Sequence, residues 1–202
     1  MTLSFLHVPT LTSTNTFAKE LVGAYLNSAS TDPTPSDPAY TVITCDKQTR
    51  GYGTHGRTWD SLPGNLFFSL IWPLEQLASR HTGDLALVTG FAVLSWARPL
   101  LPRERLTLKW PNDVQVNGLK MAGILIEIEP PYAIVGIGVN IASSPTRIPE
   151  ATHLNRYLAK PAKAALLLPS LLDSLTETFR RYQAQGLSPL IPLMLPFFVK
   201  NT

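Results

Sequence analysis

The sequence predicts an α+β fold, a mixed β-sheet flanked by helices. Three features carry this reading. Short apolar runs of strand length crowd the middle of the chain, turn residues suited to hairpins join most of them, and stretches with helical apolar spacing lie to either side. With 202 residues, 45% of them hydrophobic, the chain suits one domain with a buried core. No internal repeat or second domain is visible, so 1–202 reads as a single unit.

Residues 3–8 read as a short first strand. Ser13, Thr14 and Asn15 then offer capping side chains ahead of an apolar face of Phe17, Leu21, Val22 and Tyr25, which predicts a helix ending near Asn27. Residues 27–39 carry Pro33, Pro35 and Pro38 among Ser, Thr and Asp, and read as an exposed loop. A buried strand over 40–46 follows, then a glycine-rich loop to about Gly64, then an apolar strand over 66–72. The stripe Leu85, Val88, Ala92 and Trp96 gives a helix over 84–98, closed by Pro99. Strands over 106–110 and 114–116 flank a Pro111-Asn112-Asp113 turn. Asn117-Gly118 is a hairpin signal leading into a strand over 121–129, and Pro130-Pro131 turns the chain into a strand over 132–141. The tail is helical over 163–185, interrupted at Pro169 and stopped by Gly186, with a second apolar segment from Leu187.

Composition excludes several classes of function. A net charge of +3 is too small to imply nucleic-acid binding. The single cysteine, Cys45, rules out a disulfide framework and a cysteine zinc site, and reads as an inert thiol in a buried strand. No apolar run approaches the roughly 20 residues of a membrane helix, and the first residues lack the pattern of a signal peptide. A soluble, cytoplasmic protein is expected. His7, His55, His81 and His153 show no metal-ligand spacing, and no G-x-S-x-G elbow is present.

Four segments can carry chemistry. Gly51-Tyr52-Gly53-Thr54-His55-Gly56 spells G-x-G-x-x-G, but a loop-like run from Arg57 to Gly64 follows where a dinucleotide fingerprint needs a helix. What remains is a flexible backbone flanked by Lys47, Arg50 and Arg57, able to wrap an anion or to be a plain surface loop. In Lys109-Trp110-Pro111-Asn112-Asp113, Asp113 can help hold magnesium or a ribose hydroxyl and Asn112 a phosphate. The competing reading is an Asx-type turn with Lys109 as a solvated charge. Lys120 heads an apolar strand in which Gly123 lets a ligand approach the backbone, unless the lysine is only an edge charge. Gly136 and Gly138 alternate along a strand where a ligand or another backbone passes close, or where the strand kinks.

In this order, Ser13-Thr14-Asn15, the run from Lys47 to Trp59, Lys109-Trp110-Pro111-Asn112-Asp113, Lys120-Met121-Ala122-Gly123-Ile124-Leu125-Ile126-Glu127 and Gly136-Ile137-Gly138-Val139-Asn140-Ile141 resemble the biotin protein ligases over about residues 3–190. The resemblance implies a fold related to class II aminoacyl-tRNA synthetases. It also implies two half-reactions, in which biotin and ATP give biotinyl-5′-AMP and a carrier-domain lysine then takes the biotinyl group. ATP and biotin are then substrates, with Mg2+ as the metal. Lys120 and Arg57 become the catalytic cations. Ser13, Thr14, Asn15, Gln48, Gly51, Tyr52, Gly53, Thr54, Lys120 and Gly123 fall to biotin. Arg50, Thr54, Arg57, Trp59, Lys109, Asn112, Asp113 and Asn140 fall to the nucleotide, with Asp113 also at the metal.

The implied partner is a biotin carboxyl carrier protein or domain, with no DNA, no membrane, and a monomeric or homodimeric state. Operator binding is not expected because no winged helix-turn-helix precedes the first strand, and the family's small C-terminal β domain is absent or truncated. The related loop commonly reads Gly-Arg-Gly-Arg-x-Gly-Arg, whereas Tyr52 and Thr54 stand at the inner arginine positions here. The expectation is a mobile loop with unpartnered amides that leaks its intermediate, unless Arg50, Arg57 or His55 replaces the missing cation. Two other readings remain: a lipoate or octanoate ligase or transferase of the same fold, and a biotin-binding module that has lost catalysis.

Overall fold

Leu66–Pro73 is buried at every position, which a strand requires when both faces of its sheet are covered. It is β5, the third strand of a seven-stranded mixed sheet. The computed structural model describes residues 2–28, 37–77 and 81–199. The sheet runs β1 (Ser4–His7), β3 (Thr41–Cys45), β5, β9 (Tyr132–Val139), β8 (Leu119–Glu129), β7 (Asp113–Val116), β6 (Leu106–Lys109). β1 and β3 are parallel and the other neighbours antiparallel. A short parallel ladder of β2 (Thr10–Leu11) and β4 (Lys47–Gln48) forms beside it.

Alternation along β5 sorts its side chains between two cores. Phe67 and Ile71 pack with Ala18 and Val22 of α1 (Thr14–Asn27). Phe68, Leu70 and Trp72 face the other way, into the larger core with α2 (Thr82–Ala97) and α3 (Ala164–Gln185). Trp72 stacks on Phe179 of α3 at 4.7 Å between ring centres.

The elements expected from the sequence form within a few residues of their expected ends. Asn117 (φ 53°) and Gly118 (φ 83°) both adopt the left-handed conformation that a tight hairpin turn demands. One expectation fails: Pro169 does not interrupt the tail helix, which runs unbroken through it. Burial of Leu171, Leu172, Leu175, Phe179 and Tyr182 against α2 and the sheet outweighs one lost backbone hydrogen bond. The apolar segment after Gly186 becomes α4 (Ile191–Met194) and a 3₁₀ turn over Leu195–Phe197, and Phe198 bridges to Leu108 on the outer strand. Residues 29–36 of the proline-rich loop lie outside the described residues. No helix among the described residues is long and apolar enough to cross a membrane.

Candidate active site

A cavity of about 350 Å3 opens over β7, β8 and β9, walled by the start of α1, the glycine-rich loop, the turn before β7 and a strap that follows β9. Its floor is made of glycines because other side chains of the chain lie on it. A Cβ at Gly138 would stand 2.5 Å from Cε2 of Trp59, and one at Gly123 would stand 2.7 Å from Cζ3 of the same indole. At Gly136 a Cβ would collide with the Asn15 amide. The close approach expected at Gly136 and Gly138 is therefore real, but Asn15 and Trp59 make it.

The end of the cavity at α1 is polar. Ser13, Thr14 and Asn15 are buried there. Thr14 donates its backbone N–H to Gln48 Oε1 at 2.9 Å, which ties the helix start to β4. Asn15 is held from both sides: its Nδ2 donates to Glu127 Oε2 (2.9 Å) and its Oδ1 accepts from Ser69 Oγ (2.5 Å).

Deeper along the floor, Lys120 Nζ pairs with Asp113 Oδ1 at 2.7 Å and lies 5.3 Å from the centre of the Trp59 ring. A shift in the β7–β8 register between Val114 and Gln115 sets this meeting, since Asp113 pairs with Gly123 while Gln115 pairs with Lys120. The Lys120 backbone is fixed too: its N–H donates to Glu150 O (2.6 Å), and its carbonyl accepts from Thr152 N–H (2.8 Å). Lys109 lies opposite Asp113 in the β6–β7 pair. Asn112 donates Nδ2 to Ile124 O at 2.9 Å, locking the turn to β8.

The glycine-rich loop departs from expectation. It is a small hairpin in which Gly53 N–H donates to Arg57 O (2.7 Å) and Trp59 N–H to Gly51 O (2.9 Å), so these amides are partnered. His55 (φ 57°) and Gly56 (φ 69°) turn its tip. The Arg57 guanidinium folds back on Thr54, donating Nη2 to Oγ1 (3.1 Å) and Nε to the carbonyl (3.3 Å). The threonine thus holds the neighbouring arginine at the cavity wall.

Every candidate residue lines the cavity except Arg50 and Gly51. Arg50 is exposed and outside it, with its backbone N–H on Thr12 O, because β4 carries the chain past the cavity before the hairpin begins. Gly51 stands behind the wall, where a Cβ would meet Trp59 O at 2.8 Å. Asn140 is buried with its Nδ2 on Thr152 O (3.1 Å), so it braces the strap.

Sequence reasoning missed the other braces. Asn65 Oδ1 accepts from the N–H groups of Ile141, Ala142 and Ser143, and Arg147 of the strap meets Asp60 of the loop at 2.6 Å. Glu127 was missed as well. Burial would raise its pKa, but hydrogen bonds from Lys19, Asn15 and Tyr52 outweigh burial and hold it below the usual carboxylate value. No group of three or more His, Cys, Asp or Glu able to hold a metal occurs among the described residues. Burial pushes the Cys45 thiol up to about 11, as an inert thiol requires.

Residues 9–140 match the biotin/lipoate A/B protein ligase family. The chain is 37% identical over 117 residues to the biotin–[acetyl-CoA-carboxylase] ligase of Mycobacterium tuberculosis, covering 56% of this chain and 44% of that one. It is 28% identical over 163 residues to the bifunctional ligase/repressor BirA of Bacillus subtilis, covering 76% and 50%. It spans about half the length of these relatives. Among solved structures, the biotin protein ligase of Aquifex aeolicus in complex with biotin and ATP superposes with a TM-score of 0.82 at 25% identity, covering 97% of this chain and 78% of that one.

Proposed function

This chain belongs to the biotin/lipoate A/B protein ligase family, and on that footing we propose that it adenylates biotin and transfers it to a carrier lysine. In the first step a biotin carboxylate oxygen attacks the α-phosphorus of ATP and pyrophosphate leaves. In the second, the amine of a carrier-domain lysine attacks the carbonyl of the mixed anhydride, loses a proton, and AMP departs. Neither step needs a nucleophile from the enzyme. The first needs two anions brought together and the second needs a neutral amine held in line with an acyl carbonyl, so the protein's work is charge neutralisation and alignment.

The observation that carries this reading is Lys120, fixed by Asp113 and by the strap on the floor of the cavity. Asp113 holds the ammonium as an ion pair at 2.7 Å, and an ammonium has three N–H donors. They suit a carboxylate and a phosphate meeting above the floor. Thr14 and Gln48 at the polar end suit the ureido group of biotin, and Arg57 on the hairpin suits the phosphate. Mg2+ is compatible with this site as an ion held chiefly by nucleotide phosphates and water, which Asp113 would help to hold; bound there it would neutralise phosphate charge. The 2.7 Å contact with Lys120 leaves the second Asp113 oxygen for that role.

Incubation with biotin, ATP, Mg2+ and a biotin carrier domain, followed by a streptavidin blot, tests the proposal. A labelled carrier is expected. A carrier that takes up octanoate or lipoate but no biotin would assign the chain to the other branch of its family, and biotin binding without pyrophosphate release would make it a binding module.

A further inference from the structure

Glu127 does not line the cavity, yet three side chains from two elements converge on its carboxylate. Oε2 accepts from Tyr52 Oη of the glycine-rich hairpin (2.8 Å) and from Asn15 Nδ2 of α1 (2.9 Å), while Oε1 meets Lys19 Nζ of α1 (2.8 Å). Lys19 also lies 5.7 Å from the centre of the Tyr52 ring. The side chain is about one quarter exposed, so these bonds are partly shielded from water. Asn15 is the residue pressed onto Gly136, and Tyr52 opens the hairpin that carries Thr54, Arg57 and Trp59.

We propose that Glu127 is the anchor of the hairpin, coupling its closure to the shape of the polar end of the cavity by holding Tyr52 and Asn15 on one oxygen. It is a positioning residue, since it acts only through side chains that line the site. The consequence for a ligand rests on the function proposed above. Biotin held at the polar end is retained while the hairpin is shut, and the Tyr52–Glu127 bond resists opening. A hydrogen bond to a charged acceptor is strong enough for its loss to raise the open population about tenfold or more.

Hydrogen exchange of residues 51–59, measured without added substrate, tests the anchor directly. Tyr52→Phe deletes one hydroxyl and keeps Glu127, Lys19 and Asn15 together, so it is the variant that preserves the fold. It should raise exchange in this segment about tenfold. Glu127→Gln should do at least as much, since it also removes the Lys19 ion pair, and the double variant should exceed Glu127→Gln by no more than twofold, because the Tyr52 hydroxyl has already lost its charged acceptor there. In biotin-dependent pyrophosphate exchange, Tyr52→Phe should raise the KM for biotin more than it lowers kcat, a split that general destabilisation would not produce.

Unchanged exchange over 51–59 in Tyr52→Phe, or multiplying effects in the double variant, would overturn the anchor. A wild-type protein that neither binds biotin nor exchanges pyrophosphate, with the hydrogen-exchange difference intact, would overturn the proposed reaction and leave the anchor supported.

Discussion

Gly138→Ala places a methyl group under the Trp59 indole. The new carbon would stand 2.5 Å from Cε2, 2.6 Å from Cζ2 and 2.9 Å from Nε1, against an ordinary carbon contact of about 3.5–4.0 Å. The ring must rise by about 1 Å to restore that contact. It cannot sink, because β9 lies beneath it, so it moves into the cavity toward Lys120. Overpacking of this kind costs about 1–3 kcal/mol, which for a chain of this length lowers Tm by roughly 2–12 °C. The displaced indole should also weaken substrate binding. Gly53→Ala is the control: its Cβ meets only Arg57 O at 3.8 Å, and its backbone is extended. That change should cost under about 0.5 kcal/mol. Thermal unfolding and the biotin concentration dependence of pyrophosphate exchange read both variants. A Gly138→Ala protein with wild-type Tm and KM, or one indistinguishable from Gly53→Ala, would refute the account of the glycine floor.

Three further outcomes are expected. Gly23 sits inside α1 with nothing within 4 Å of a built Cβ, so Gly23→Ala should stabilise by about 0.5–1 kcal/mol, seen as a higher Tm; a lower Tm would contradict the open space. Arg57→Ala should increase biotinylation of bystander albumin about tenfold, since a charged contact to the intermediate is lost, and unchanged albumin labelling would mean that Arg57 does not retain it. Glu127 has a folded-state pKa below its ordinary 4.5, so its contribution is complete above about pH 4.5 and is lost as pH falls through the lower folded value. The Tm gap between wild type and Glu127→Gln should therefore hold from pH 7 to 5 and narrow toward pH 3. A gap that stays constant to pH 3 would contradict the depressed pKa.

What was legible in the sequence follows the range of the interactions involved. Asn117-Gly118 could be read because a tight turn is decided by two residues' own backbone preferences. Lys120, Asn112 and Asp113 could be located because the motif keeps them within one β7–β8 hairpin. Pro169 misled because local helix preference yields to burial of the residues after it. The glycine hairpin was legible as a loop but not as a ladder, since glycines give no alternation of side chains to mark the pairing of Gly51 with Trp59. Arg50 and Arg57 look alike in sequence, and only the path of the backbone puts one outside the cavity and the other on its wall. The Asp60–Arg147 and Tyr52–Glu127 bonds join residues 87 and 75 positions apart, beyond the reach of any spacing rule.

The central claim is that Lys120 supplies the charge that lets a biotin carboxylate attack ATP. Exchange of labelled pyrophosphate into ATP measures that step without a carrier. The account predicts exchange that requires biotin and falls at least a hundredfold in a folded Lys120→Ala protein, as loss of a transition-state contact does. Biotin-dependent exchange at the wild-type rate in Lys120→Ala, or exchange driven by octanoate and not by biotin, would contradict it.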